Sequence, residues 1–336
     1  MTQTQQDAYG KLYNKMKKII ALLSLLFGCG KPIFAQQWGI LPAAVNGVYP
    51  STQIKQSLAD TFGLIRNTYI LTKPTQPSTQ RQVLTVLWAQ PFVNGTPHPV
   101  PFCTDTATYR TKVRALITAT KANTILYQVE NEPCNNQFYS GNILQYLDLL
   151  NIFCDEAHKQ GAMVTDGGIT TTLASILTYE YYLSIGDNTT ADMLAHIYYN
   201  DSDYLHLPQT RKSKQYQYAL SEGLFYVAHL YNCDYVNLHW YEPVQLRNGG
   251  TWYNSVKMKG CEKAIAYLKK ETGKPCIITE TAQLVASEHD TNKMARRYKK
   301  LSVPYVIWFN GGDCAPYFDE SGNATELGDN LLKQIK

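Results

Sequence analysis

Ile125-Leu126-Tyr127-Gln128-Val129-Glu130-Asn131-Glu132-Pro133 begins as an apolar run of strand length and ends on an Asn-Glu pair held just before a proline. A second run, Cys276-Ile277-Ile278-Thr279, also ends on an acid, Glu280. Short apolar runs bounded by turn residues read as strands buried on both faces, the pattern of a parallel sheet. In a (β/α)₈ barrel the C-terminal ends of all strands converge on one mouth, so residues far apart in sequence become neighbours there. The spacing therefore predicts that Glu132 and Glu280 face one another.

The rest of the chain supplies the other strands. Trp38-Gly39-Ile40-Leu41, Leu64 to Ile70 and Val83 to Trp88 read as the first three. Ala162 to Thr165, Tyr235 to Tyr241 and Tyr305 to Phe309 read as the fifth, sixth and eighth. Helical stretches alternate with them, as parallel α/β architecture requires. One runs from about Ser51 to Thr61; another is capped by Asp105 and turns Tyr109, Val113, Leu116 and Thr120 to the core. A third carries Ile143, Leu147, Leu150, Cys154 and Ala157 on one face and stops at Gly161. The helix from Cys261 to Thr272 ends at Gly273 and Pro275, a well-formed stop. The link from Lys73 to Gln82 is rich in Pro, Thr and Gln, which predicts a missing or stunted helix. The connection from about Ile169 to Cys233 predicts two or three helices with an elaborated loop near Asn188 to Gln209. Its tyrosines, Tyr179, Tyr181, Tyr182, Tyr198 and Tyr199, suggest an extended cleft. A tail helix around Leu327 to Ile335 closes the barrel. The expected class is α/β, a single-domain (β/α)₈ barrel over residues 36–336.

With 336 residues and 44% apolar content, the chain is long enough for one barrel with a sizeable core. Its 25 Tyr residues suit a wet, polar ligand surface, although many must be packing residues. A net charge of +4 is spread along the chain, and the two short basic runs, Arg211 to Lys214 and Arg296 to Lys300, read as solvated helix faces. Nucleic-acid binding is thus not indicated. Residues 1–35 read as a leader: Met16-Lys17-Lys18 is a basic start, Ile19 to Phe27 an apolar stretch too short to span a bilayer, and Ala35 a cleavage position. Met16 then becomes the expected start and the product is secreted or periplasmic. The alternative is a lipoprotein anchored at Cys29, since Leu26-Phe27-Gly28-Cys29 is similar to a lipobox. No later run is long enough to span a membrane. Among the remaining cysteines, Cys103 and Cys134 both follow strand ends at the same mouth and are compatible with a bridge. No HExxH, GxSxG, phosphate loop or complete GxGxxG occurs, and the histidines lack ligand spacing, so neither metal nor cofactor is expected.

Two carboxylates at one barrel mouth suit glycosidic cleavage with retention. One must hand a proton to the leaving oxygen while the other attacks the anomeric carbon, and they must lie about 5–5.5 Å apart. On these residues the chain resembles the clan A glycoside hydrolases, in which Asn-Glu ends strand four and Glu closes strand seven. The resemblance implies Glu132 as acid/base and Glu280 as nucleophile. A charged Glu280 nearby would favour the proton on Glu132. It further implies Asn131 as a ligand of the sugar 2-hydroxyl, Arg66 as the cation that holds the nucleophile ionised, and Trp308 as an aromatic floor beneath the sugar. His239 and Tyr241 point the same way on strand six, so that one can hydrogen-bond Glu280, and Trp88 is a further stacking residue. The expected partner is a poly- or oligosaccharide, and the expected activity hydrolysis of its O-glycosidic bonds. A catalytically idle carbohydrate-binding barrel and a transglycosylase on the same site are the alternatives.

Overall fold

The computed structural model describes residues 36–74, 78–93, 96–199, 201–242, 258–284, 287–312 and 314–336. The leader and Cys29 lie outside the described residues. Eight parallel strands make one sheet: β1 (Gln37–Pro42), β2 (Ile65–Ile70), β3 (Gln82–Leu87), β4 (Thr124–Val129), β5 (Val164–Thr165), β6 (Val236–Glu242), β7 (Cys276–Gln283) and β8 (Tyr305–Asn310). Their order is β5-β4-β3-β2-β1-β8-β7-β6. Parallel bridges from Thr165 to Tyr235 and from Ile169 to Leu238 join the two outer strands and close the barrel. The expected (β/α)₈ architecture is the observed one.

The helices are α1 (Thr52–Phe62), α2 (Thr106–Thr120), α3 (Ile143–His158), α4 (Thr171–Ser184), α5 (Asn188–Tyr198), α6 (Asp201–Thr210), α7 (Lys214–Ala228), α8 (Lys259–Thr272), α9 (Glu288–Lys300) and α10 (Glu326–Ile335). Their ends follow local chemistry. Ser51 and Asp105 accept backbone N–H bonds from Ile54 and Thr108, and Asn142 with Gln145 forms a reciprocal capping box at the start of α3. α8 stops where Gly273 takes a φ of 68°, followed by Pro275. Leu64, Val83, Leu126, Tyr235, Ile277, Tyr305 and Ile307 fill the barrel below its mouth. A larger apolar layer lies between the strands and the helices.

Three expectations need correction. The connection after β5 carries four helices, α4 to α7, and most of the stretch read as a loop, Asn188 to Gln209, is α5 and α6. Asp187 caps α5 at Thr190 and Ala191, Leu194, Ala195, Ile197 and Tyr198 supply its buried face, a pattern obscured by the polar residues between them. The tyrosines expected to line a cleft instead knit this helical layer together: Tyr179 packs edge-on against Tyr199, Tyr181 lies beside Tyr182 and Tyr267, and Tyr198 meets Trp240 and donates to the Gly260 carbonyl. Cys103 and Cys134 are both free thiols, Cys103 donating to the Asp105 carbonyl.

Other expectations hold. Between β2 and β3 no helix occurs among the described residues. In the basic run at the end of α9, Tyr298 is buried while Arg296, Lys299 and Lys300 are exposed. Among the described residues no helix is long and apolar enough to cross a membrane.

Candidate active site

The segment after β4 is shaped by two left-handed residues. Glu130 has a φ of 60° and Glu132 a φ of 53°, a region that side-chain-bearing residues seldom occupy and that costs of order 1–3 kcal/mol each. The turn persists because its surroundings over-determine it. Glu132 N donates to the Gly167 carbonyl at 2.9 Å, Asn131 N donates to the Tyr139 hydroxyl at 3.1 Å, and the Gln128 amide donates to the Glu130 and Gly167 carbonyls. The two acids are thereby sent in opposite directions. Glu130 is fully buried and accepts from Trp88 N at 2.8 Å and from the Tyr139 hydroxyl at 2.9 Å. Burial pushes its pKa up to about 7, against the lowering effect of those two bonds. Sequence reasoning did not single out Glu130, because an acid in mid-turn looks solvated until its left-handed backbone is seen. Glu132 turns to the mouth, where Asn135 Nδ2 donates to its Oε2 at 3.0 Å.

A β-bulge delivers the second acid. Ile277 pairs with Asn237, but Glu280, not Thr279, pairs with His239; on the other side Ile278 pairs with Val306 and Thr281 with Trp308. One extra residue is therefore inserted in β7 relative to both neighbours. Strict alternation from the inward Ile277 would turn Glu280 out towards the helices. The insertion re-aims it, so Thr279 and Glu280 both face inward.

Around Glu280 the donors converge. Arg66 is nearly fully buried, and its Nη1 donates to Glu280 Oε2 at 2.6 Å and to the Thr279 carbonyl at 3.0 Å. Its Nε donates to Thr85 Oγ1 at 2.8 Å and its Nη2 to Asn131 Oδ1 at 2.5 Å. The Tyr241 hydroxyl donates to the other Glu280 oxygen, Oε1. Burial works to raise the Glu280 pKa, but a charged His239, the Arg66 guanidinium, and the hydrogen bonds from Tyr241 and Arg66 outweigh it and hold the carboxyl below its ordinary value. Arg66 is permanently charged. His239 counts only when protonated, and its Nδ1 lies 3.9 Å from Glu280 Oε2.

His239 sits fully buried between the acids, with Nδ1 2.9 Å from Glu132 Oε1 and Nε2 3.1 Å from Thr279 Oγ1. A carboxylate oxygen of Glu132, one of Glu280 and a His239 nitrogen lie within 4.8 Å of one another. A divalent ion could span that distance, but both Glu280 oxygens are already taken by Arg66 and Tyr241, and a guanidinium in contact opposes a second cation. The donor set does not fit a metal. Gly168, at a φ of 101°, lines the imidazole so tightly that a Cβ there would fall 2.3 Å from His239 Nε2.

Six of the eight residues singled out from sequence thus meet at one place: Glu132, Glu280, Asn131, Arg66, His239 and Tyr241. The alternation of β6 places both His239 and Tyr241 inward, with Tyr241 taking Glu280 and His239 taking Glu132. The two tryptophans lie elsewhere. Trp308 is fully buried on the outer side of β8, edge-on to Tyr298 of α9 and to Tyr317, with no partner for its Nε1 among the described residues. It cannot floor the mouth, because the period of two along β8 turns Ile307 and Phe309 inward instead. Phe309, missed from sequence, is half-buried, with its ring 6.3 Å from that of Tyr241. Trp88 lies just past β3, half-buried against the Tyr109 ring, and its backbone N–H serves Glu130. Asp166, beyond β5, is buried under Tyr226 and the backbone of Asn237 and Gly168; burial raises its pKa to about 6 against the pull of these bonds and of His239.

No family model matches the sequence, and no curated protein matches it. Solved structures do. An exo-β-1,4-mannosidase from Opitutaceae bacterium strain TAV5 superposes with a TM-score of 0.51 at 8% identity, covering 91% of this chain and 61% of that one. A GH128 (subgroup I) endo-β-1,3-glucanase from Amycolatopsis mediterranei, solved with laminaripentaose, matches with a TM-score of 0.46 at 12% identity, covering 89% and 99%. A GH128 (subgroup VII) oligosaccharide-binding protein from Cryptococcus neoformans matches with a TM-score of 0.48 at 12% identity, covering 92% and 96%. Such identities speak to fold alone. The described residues form one (β/α)₈ barrel, a fold that the mannosidase shares.

Proposed function

We propose that this barrel is a retaining glycoside hydrolase with Glu132 as acid/base and Glu280 as nucleophile. One observation carries the reading: two carboxylates meet at the C-terminal mouth within 4.8 Å, yet stand in opposite electrostatic settings. Glu280 receives a guanidinium and a phenol and is kept ionised, as a nucleophile must be. Glu132 is held by a histidine and an amide, groups compatible with a proton on the acid.

In the first step Glu280 attacks the anomeric carbon while Glu132 passes its proton to the departing glycosidic oxygen. The products are a glycosyl ester on Glu280 and a free hydroxyl on the leaving sugar. Glu132, now a carboxylate, takes a proton from water as that water attacks the ester, and Glu280 leaves as carboxylate. Arg66 orients both ends of the apparatus. Its bond to Asn131 Oδ1 leaves the Asn131 amide nitrogen without a partner among the described residues, where it can meet a sugar hydroxyl. Tyr241 steadies the charge of Glu280 before attack and after release.

The test is reducing-sugar release by residues 36–336 on a panel of plant, fungal and bacterial polysaccharides, β-1,3-glucan and β-1,4-mannan included. Glu132→Ala and Glu280→Ala run alongside. Activity on one substrate that both changes abolish would support the reading. Binding of a glycan with no turnover would point to an idle carbohydrate-binding barrel, and products longer than the substrate to transglycosylation. Export belongs to the same proposal. N-terminal sequencing of the mature protein should begin at Gln36, whereas a lipid-modified Cys29 would show the anchored form.

A further inference from the structure

We propose that Asn237 and Thr279 lock His239 with its proton on Nε2, so that a lone pair faces Glu132 and the pair holds on to the acid's proton. This rests on the reading of Glu132 as acid/base. The assignment follows from counting donors, beginning at a group that has no choice. The Asp166 backbone carbonyl can only accept, so the amide atom of Asn237 that meets it at 3.3 Å is the NH₂. Asn237 Oδ1 then points at Thr279, where it accepts the backbone N–H at 3.2 Å and lies 2.9 Å from the hydroxyl. A backbone N–H can only donate, which confirms the orientation of the amide from its other end.

The Thr279 hydroxyl has one proton, and Asn237 Oδ1 takes it. What remains for His239 is a Thr279 oxygen that can only accept, 3.1 Å from Nε2. Nε2 must therefore carry hydrogen. The other ring nitrogen, 2.9 Å from Glu132 Oε1, has no proton of its own in the neutral ring. A neutral imidazole beside an ionised Glu132 would set a lone pair against a carboxylate. One further proton between Nδ1 and Oε1 removes that clash, wherever along the contact it sits.

The ring cannot escape by rotating. Gly168 presses on it from one side, and the residue's own backbone is tied to Ile169, with His239 N donating to the Ile169 carbonyl. The other charged or titratable groups that face it are Glu280 from β7, Arg66 from β2, Asp166 from the end of β5 and Tyr241 from its own strand. Arg66 is paired to Glu280, so none of these supplies the missing donor to Nδ1. Thr279 and Asn237 are thus positioning residues, acting on Glu132 through His239.

Thr279→Val keeps the shape but removes the acceptor. Once the pair loses its proton, the ring is free to move its hydrogen to Nδ1 and donate to the carboxylate, which makes that loss easier. The alkaline limb of the kcat/KM profile on the panel substrate should move to lower pH by roughly 0.4 to 1 unit, the worth of one hydrogen bond. Thr279→Ser, which restores the hydroxyl, should return it. For a dinitrophenyl glycoside of the same sugar, whose leaving group needs no proton, kcat/KM reports only formation of the Glu280 ester and should be close to the wild-type value in Thr279→Val. Independently of substrate, ¹H–¹⁵N spectra of the imidazoles, with His239 assigned by its loss in His239→Gln, should show hydrogen on Nε2 in the resting protein. Hydrogen on Nδ1 alone would overturn the lock, as would identical profiles for the Val and Ser variants. Full turnover by Glu132→Ala would overturn the acid assignment instead, and the proposal with it, even where the spectra show hydrogen on Nε2. Should Thr279→Val not fold, the wild-type spectra still decide the tautomer.

Discussion

Replacing Arg66 by Met exposes how Glu280 is kept charged. The guanidinium makes four hydrogen bonds, to Glu280 at 2.6 Å, Thr85 at 2.8 Å, the Thr279 carbonyl at 3.0 Å and Asn131 at 2.5 Å. The side chains of Arg66 and Glu280 are only 3% and 12% exposed, so solvent does little to screen the pair. Removing one partner of a buried pair typically costs about 3–5 kcal/mol, chiefly because the other charge is stranded. The sign with pH follows from Glu280. In the wild type its folded pKa lies below the unfolded value, so its contribution to stability is full above about pH 4.3 and is lost as pH falls through the folded pKa. In Arg66→Met the burial that Arg66 had offset acts with less opposition, and the folded pKa rises. The deficit against wild type should then be largest near pH 7.5 and shrink towards pH 5, as the stranded carboxyl takes up a proton. Urea denaturation at both pH values measures this. The acid limb of the kcat profile should move to higher pH in the same variant, while Arg66→Lys, which keeps the charge, should move it less. An equal deficit at both pH values with an unmoved acid limb would mean that Arg66 only ties the strands together.

Three further outcomes are expected. Tyr241→Phe should lower kcat by about 10- to 100-fold with little change in KM, since one charge-assisted hydrogen bond to Glu280 is lost; steady-state kinetics on the panel substrate checks it. Gly168→Ala combines an unfavourable left-handed backbone with a methyl driven into the His239 ring, so both melting temperature and turnover should fall, by an amount equivalent to about 1–3 kcal/mol in stability. Glu130→Gln keeps an acceptor for Trp88 N and can donate to the Tyr139 hydroxyl instead of accepting from it, while removing the charge. Because the folded pKa of Glu130 is raised to about 7, wild-type stability should decline by on the order of 3 kcal/mol as pH climbs from the unfolded pKa through 7, and the variant should lose that decline.

The chain's strand runs and helix stops are legible in its sequence because each rests on neighbours a few residues away. Gly273 with Pro275 ends α8, and the apolar run Ile125 to Val129 becomes β4, for local reasons. The pair Glu132 and Glu280 is legible for a related reason, since a barrel brings strand ends together whatever fills its loops. What is not legible depends on pairing between strands. Nothing within Cys276 to Gln283 announces an extra residue; it exists only against the registers of β6 and β8. The orientation of Trp308 depends on the phase of β8, and an aromatic at a strand end fits either side equally well. The role of Glu130 required its φ, and the contribution of Thr279 required the whole chain of donors running back to Asp166.

The bulge in β7 lets two consecutive side chains share the barrel interior. Between Ile277 and Glu280 the strand holds two residues where its neighbour β6 holds one, Leu238. Were the strand to straighten at constant length, Glu280 would turn into the apolar layer beneath the helices. Deleting Ile278 or Thr279 would instead restore an unbroken alternation, with Glu280 still opposite His239 and facing inward. What a regular strand cannot do is present Thr279 and Glu280 side by side on one face, the first to the His239 ring and the second to Arg66. The extra residue thus doubles what one strand can deliver to the mouth.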